Sequence, residues 1–217
     1  YQVDSAAVMA AGVISPADTA ALLKQMTINL KDKDYLGKQE LIILDMLRTN
    51  NWQRPIYYAI TVSPDQFVKL DPYFQQTGLA YQLVPMEVKG KARSVNTEKM
   101  YDNLMHKFRY GGLEHDGIYL DQTIMRMCHT HRSMFVQLIG ALLKEGKTDK
   151  ALKALEYCKK VIPEKNVPYE ILSVGYDYDR GIFKLPDYWH QVGRDKEAER
   201  ILVKMAQTSI EYLEWYN

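Results

Sequence analysis

Gly146-Lys147-Thr148-Asp149-Lys150-Ala151 and Gly193-Arg194-Asp195-Lys196-Glu197-Ala198 are one short phrase written twice, 47 residues apart. In each copy a glycine closes one helical pattern and an alanine stands inside the next. A helical hairpin needs this arrangement, because the glycine turns the chain and the small residue lets two helices approach closely. Leu155 and Leu202 stand four residues after each alanine. With Ala151 as the small residue of the second helix, Phe135, Leu138, Leu142, Leu155, Cys158 and Pro163 fall at the packing and stop positions of a tetratricopeptide-like repeat. Leu185, Trp189, Leu202 and Met205 do so in the second copy. The offset exceeds the usual repeat of roughly 34 residues, so an insertion of about 13 residues is expected near Glu164–Tyr176.

Outward from this pair, the pattern is helical over Thr97–Phe108, Tyr119–Lys144 and Asp149–Ile162, and again up to the C-terminus. Toward the N-terminus it breaks at Lys89-Gly90-Lys91-Ala92-Arg93-Ser94, a charged, patternless stretch that reads as a boundary between a small domain, 1–95, and a helical one, 96–217. In the first domain, Ser15-Pro16-Ala17-Asp18 is a helix start, with serine at the cap and proline at the first helical position. Thr27–Leu30 is compatible with a strand. A second helix runs from the turn Lys31–Asp34 through Leu47, and its Leu41-Ile42-Ile43-Leu44 run predicts burial. Pro55–Val62, β-branched and aromatic, is the strongest strand signal; Asp71-Pro72 opens a short helix, and Ala80–Val88 alternates as a third strand. Strands separated by helices predict a βαβαβ-type layer with parallel strands. The expected class is α+β, this layer followed by tetratricopeptide-like hairpins.

Composition narrows the function. The 217 residues carry 28 basic and 27 acidic side chains, with ten and nine before position 96 and eighteen of each after it. Nucleic-acid binding is not expected, because phosphate neutralisation requires a basic excess or stripe. The longest uncharged runs, Ser5–Ala17 and Pro72–Met86, are too short and too interrupted to span a bilayer. The chain starts at Tyr1 without a basic leader, which reads as a soluble piece of a longer protein. Sixteen tyrosines lean toward an exported protein or a surface that meets sugars or peptides.

No catalytic residue, metal ligand or cofactor is assigned. Asp32-Lys33-Asp34 and Asp177-Tyr178-Asp179 have the Asp-x-Asp form that holds a divalent cation against a diphosphate in some sugar transferases, but fifteen aspartates produce such pairs by chance. Turn or cap roles account for them. Cys128-His129-Thr130-His131 offers at most two ligands on one helix face, where zinc takes three or four. Cys128 and Cys158 read as small buried residues rather than a disulfide. Arg109-Tyr110-Gly111-Gly112 reads as a helix stop, and the chain has no phosphate loop or nucleophile elbow. In the register set by Ala151 and Ala198, the first helix of each hairpin presents Ser133, Val136, Leu143 and Lys144, then Arg180, Phe183, Asp187, His190 and Gln191. Aromatic, charged and histidine side chains on one face suit an extended ligand.

Asn51-Trp52-Gln53-Arg54-Pro55-Ile56-Tyr57-Tyr58-Ala59 and Gly78-Leu79-Ala80-Tyr81-Gln82-Leu83-Val84-Pro85, with Phe108–Gly112 and Tyr119-Leu120-Asp121, resemble the C-terminal soluble region of bacterial polytopic envelope proteins whose membrane half is similar to protein O-mannosyltransferases. The resemblance covers about Thr27 to Pro163. Trp52, Arg54 and Pro55 read as its fold signature, with Pro55 holding its predecessor extended and Trp52 covering a sheet end. The resemblance implies a periplasmic domain at the inner membrane, tethered to an N-terminal membrane half that carries the catalytic acids. The fragment itself is then a non-catalytic recognition domain for an exported polypeptide or glycan acceptor. A bracing scaffold or protein-interaction module is the alternative, and a metal-dependent glycosyltransferase the enzymatic rival.

Overall fold

The computed structural model describes residues 1–31, 33–88, 94–169 and 181–216. It has the expected α+β composition and divides into two compact units, Tyr1–Asn96 and Thr97–Asn217. Residues 89–93 of the expected linker lie outside the described residues.

The first unit contains helices α1 (Ser5–Ala10) and α2 (Lys38–Asn50) and strands β1 (Tyr57–Ala59), β2 (Phe74–Gln76), β3 (Ala80–Leu83) and β4 (Ser94–Val95). The strand order is β1-β3-β2-β4. β3 pairs antiparallel with β1 and β2, setting Tyr58 opposite Tyr81 and Phe74 opposite Leu83, and only β4 runs parallel to its neighbour β2. This corrects the expected parallel βαβαβ layer. Only Thr77-Gly78-Leu79 joins β2 to β3, far too few residues for the crossover a parallel pair needs. Thr27–Leu30 forms no strand, and the Pro55–Val62 and Ala80–Val88 signals shorten to three and four paired residues. Ser15-Pro16 does start a helix, but a 3-10 turn of six residues in which Ser15 donates to Asp18.

The core of this unit is aromatic. Phe67, from a 3-10 turn at Pro64–Phe67, meets Phe74 edge-on at 5.0 Å; Phe74 stacks on Tyr81 at 5.8 Å and lies 4.8 Å from Tyr58. α2 contributes Leu47 to the core while Leu41 and Ile42, expected to be buried, are 52% and 60% exposed. Four consecutive apolar residues point around the whole circumference of a helix, so a helix lying on one surface must leave some of them outside. α2 ends at Asn51 and Trp52, whose φ values of 40° and 63° are left-handed, and Trp52 is buried in the core. Arg54 and Pro55 are exposed, the Arg54 carbonyl accepting from Asn50.

The second unit is helical: α3 (Thr97–Asp102), continued by a π turn at Asn103–Lys107, then α4 (Gln122–Lys144), α5 (Thr148–Val161), α6 (Lys184–Gln191) and α7 (Asp195–Tyr216). Asp121 caps α4 by accepting from the Ile124 amide. The two hairpin turns share four backbone hydrogen bonds. The amides of Glu145, Gly146, Lys147 and Ala151 donate to the carbonyls of Ala141, Leu143, Leu142 and Lys147. The amides of Val192, Gly193, Arg194 and Ala198 donate to Tyr188, His190, Trp189 and Arg194, each 47 residues later. Gly146 and Gly193 share φ values of 72° and 73°. Ala151 and Ala198 are both buried, as are Leu142 and Trp189, Leu138 and Leu185, and Cys158 and Met205. The correspondence fails at one expected packing position: Leu155 is 1% exposed and Leu202 is 55% exposed.

At both glycines an added Cβ would meet nothing within 4 Å, so substitution there costs only backbone strain. Gly146→Ala and Gly193→Ala are each expected to lower unfolding free energy by about 1–2 kcal/mol, the cost of an L-residue in a left-handed turn. Urea denaturation at unchanged m-value checks this.

Candidate functional site

Arg132 sits in mid-α4 and is 1% exposed. Its guanidinium donates to the carbonyls of Pro168 (3.0 Å), Ile162 (3.0 Å) and Val167, and its Cζ lies 4.8 Å from the centre of the Tyr169 ring. The need for it follows from the local sequence. α5 stops at Val161, and the chain then runs through Pro163 and Pro168 without helical partners for its carbonyls. A planar fork of N–H donors answers several carbonyls at once. Burial lowers the pKa of Arg132 from its ordinary value, with Cys158 and Tyr169 opposing the shift. Asn166 adds a second tie, its side chain donating to the carbonyls of Leu113 and His115 at 2.7 Å.

The loop so held is one wall of a groove of about 1110 Å³. Lys159, Pro163, Glu164, Lys165, Pro168 and Tyr169 form that wall, and Arg200, Lys204, Thr208, Glu211 and Trp215 of α7 form the other. The α7 residues recur at intervals of three and four, which makes one stripe of a helix. Arg200 joins the walls, bonding Glu164 at 2.7 Å and Glu197 at 2.9 Å, and Glu197 also pairs with Lys159 at 2.9 Å. Burial alone would raise the Glu197 pKa, but hydrogen bonds from Arg200 and Lys159 outweigh it and hold the carboxylate below its usual range. Trp215 is 77% exposed, and Lys204 and Glu211 are exposed in the same stripe. An accessible indole beside both charge signs can stack on a sugar ring or a peptide side chain while the charged groups take its polar atoms.

The surface predicted from the hairpin register is assembled in part. Phe183, Asp187, His190 and Gln191 are exposed at successive turns in and beside α6; Arg180 lies outside the described residues. His190 Nδ1 is 2.6 Å from Asp195, and Lys184 is 3.8 Å from Asp187. Lys144 is exposed at the end of α4, but Ser133 and Val136, expected on the same face, are buried. α3, α5 and α6 all pack against α4, which is mostly buried from Cys128 to Leu142. Among the motifs considered for metal, Cys128 and His129 are buried, Asp34 is exposed, and Asp32, Asp177 and Asp179 lie outside the described residues. Among the described residues no three His, Cys, Asp or Glu side chains gather to hold a metal ion. Burial raises the Cys158 thiol to a pKa of about 12. The groove is absent from the sequence reading because its walls come from residues about 40 positions apart and its brace bonds to backbone, which carries no signature. A lone arginine amid the apolar positions Cys128, Phe135, Leu138 and Ile139 was the available signal.

The family model described as TMEM260-associated domain 2 matches residues 1–101. No curated protein and no solved structure matches the chain. Among the described residues no helix is long and apolar enough to cross a membrane.

Arg132→Met is expected to cost about 3 kcal/mol or more, because it leaves buried carbonyls without donors. Hydrogen exchange should localise the loosening to residues 162–169, and Arg132→Lys should not restore protection, since an ammonium cannot present the same fork. Glu197, and Glu98 through hydrogen bonds from Lys150 and Lys147, are held below their ordinary pKa. A carboxylate shifted downward stabilises the fold above its unfolded pKa and loses that contribution as pH falls through the folded value. The melting temperature should therefore stay level above pH 5 and fall below about pH 4.3, and Glu197→Gln should flatten the acid limb.

Proposed function

We propose that this chain is a non-catalytic recognition domain of a membrane-embedded glycosyltransferase-like protein, exposed at the periplasmic face of the inner membrane, and that it receives the exported polypeptide or glycan its membrane half handles. The match of residues 1–101 to a TMEM260-associated domain supports the accessory role, together with the motifs shared with envelope proteins whose membrane half is similar to O-mannosyltransferases. The observation that carries the binding role is the groove, where an accessible Trp215 shares a stripe with Lys204 and Glu211 opposite a loop fixed by Arg132. The groove sets the aromatic rings of Tyr169 and Trp215 among six charged side chains, Lys159, Glu164, Lys165, Arg200, Lys204 and Glu211, a lining suited to a polar, extended ligand. The α6 face is the weaker candidate, since Asp187 and His190 already face Lys184 and Asp195.

One observation favours the bracing alternative. Leu41, Ile42 and Met46 are exposed together on α2, with Tyr35 beside its start, as a surface meant to be covered would be.

Calorimetric titration with extended peptides and with oligosaccharides separates the two. Saturable binding is expected, weakened at least tenfold by Trp215→Ala with Lys204→Ala and unchanged by Asp187→Ala with His190→Ala. Absence of binding to either class leaves bracing as the better account. A melting temperature raised by Mn²⁺ with a nucleotide-sugar points instead to a metal-dependent transferase.

A further inference from the structure

The charges at the two ends of the groove stand differently. Near the start of α7 they are matched: Arg200 bonds Glu164 and Glu197, and Lys159 bonds Glu197. On the loop wall, Lys165 is paired with Asp116. Farther along the α7 stripe, Lys204, Thr208 and Glu211 make no side-chain hydrogen bond or ion pair among the described residues. Lys204 and Glu211 are seven residues apart on one helix, about 10.5 Å along its axis, too far to pair with each other. The groove therefore offers one cation and one anion, in fixed order and at fixed spacing, with accessible Trp215 about 6 Å beyond Glu211.

The loop wall has little backbone to add. Pro163 and Pro168 have no amide hydrogen. Arg132 takes the carbonyls of Ile162, Val167 and Pro168, and the Pro163 carbonyl accepts from Asn166 and Val167. A ligand strand needs a free sheet edge, and this groove supplies side chains instead.

The charge pair selects the ligand class. A neutral glycan brings a countercharge to neither residue, and an anionic glycan would answer Lys204 but oppose Glu211. A polypeptide carries both signs on one chain. Spacing then selects its conformation. Strand side chains return to one face every two residues, at about 6.6 or 13 Å. Those of polyproline II return every three, at about 9.3 Å, close to the separation of Lys204 and Glu211. A helix would also match, seven residues apart, but grooves that take a helix are apolar, and this lining is charged. Polyproline II keeps its backbone in water and docks on aromatic side chains, as Trp215 permits.

We propose, building on the groove as the recognition site, that its ligand is a polypeptide segment in polyproline II conformation. An acidic side chain meets Lys204, a basic one three residues away meets Glu211, and a proline or other apolar side chain lies on Trp215.

The test is calorimetric titration of the protein with proline-rich peptides of one frame. They carry an Asp and a Lys three residues apart, the same pair two residues apart, Gln at both positions, or Lys at both. The Asp–Lys peptide at three-residue spacing should bind at least tenfold more tightly than each of the others. Lys204→Glu, a change at an exposed position, should move the preference to the peptide with Lys at both positions. That reversal is beyond a merely structural effect and does not depend on the direction in which the peptide lies. Equal affinity for all four peptides, or binding of a neutral oligosaccharide and none of them, would overturn this proposal and leave the groove a recognition site. Binding of neither class would overturn the recognition reading with it.

Discussion

The helical unit turns on a buried cation to which, among the described residues, no carboxylate is bonded. Arg132 donates to the carbonyls of Ile162, Val167 and Pro168, and its charge rests on the Tyr169 ring. A buried charge is costly unless every donor is used, and the segment after α5 is the place where acceptors are left over. Each side solves the other's difficulty: the proline-rich exit from α5 gains donors, and the arginine gains a polar cage inside an apolar helix face. Without that exchange the carbonyls of Ile162, Val167 and Pro168 lose their donor, and the groove loses the brace of one wall.

The duplicated turn sets the other constraint. Four backbone hydrogen bonds and a left-handed glycine recur at one offset, so the hairpins share a closing mechanism although little else in their sequences agrees. They differ in reach. α4 spans 23 residues against 14 in α5, whereas α6 has eight against 22 in α7. The first hairpin leaves the N-terminal turns of α4 beyond α5, where Ile124 and Met127 are exposed, and the second leaves the distal part of α7 beyond α6. Most of the groove stripe, from Lys204 to Trp215, lies on the α7 overhang.

Legibility in the sequence followed the range of the interactions. α4 and α5 and both turns are local, set by a capping aspartate, a 3.6-residue period and a glycine, and their positions could be read within a few residues. The sheet could not. Phe74-Gln75-Gln76 has little strand preference and follows a proline-started turn that reads as helix; pairing with β3 and β4 makes it a strand. Leu202 shows the limit of register: the repeat places it correctly, but burial there depends on a neighbour. Arg132 carries no signature in the sequence because its partners are carbonyls, which every residue has. The exposure of Phe183, Asp187, His190 and Gln191 is legible because it needs only the helical period, whereas the groove is not, because its walls meet through tertiary packing.

The two cysteines bear on the order in which this unit can be made. In the folded protein both thiols are buried, and Cys158 is shifted so far upward that almost no thiolate exists at neutral pH. In the extended chain they are 30 residues apart, solvated and ordinary, available to any oxidant or to each other. Protection therefore arrives with the α4–α5 hairpin and not before. In an oxidising compartment, helix pairing competes in time with thiol oxidation, and a local turn that closes quickly at Gly146 favours the pairing. Short contact distance along the chain thus serves here as a chemical safeguard as well as a folding advantage.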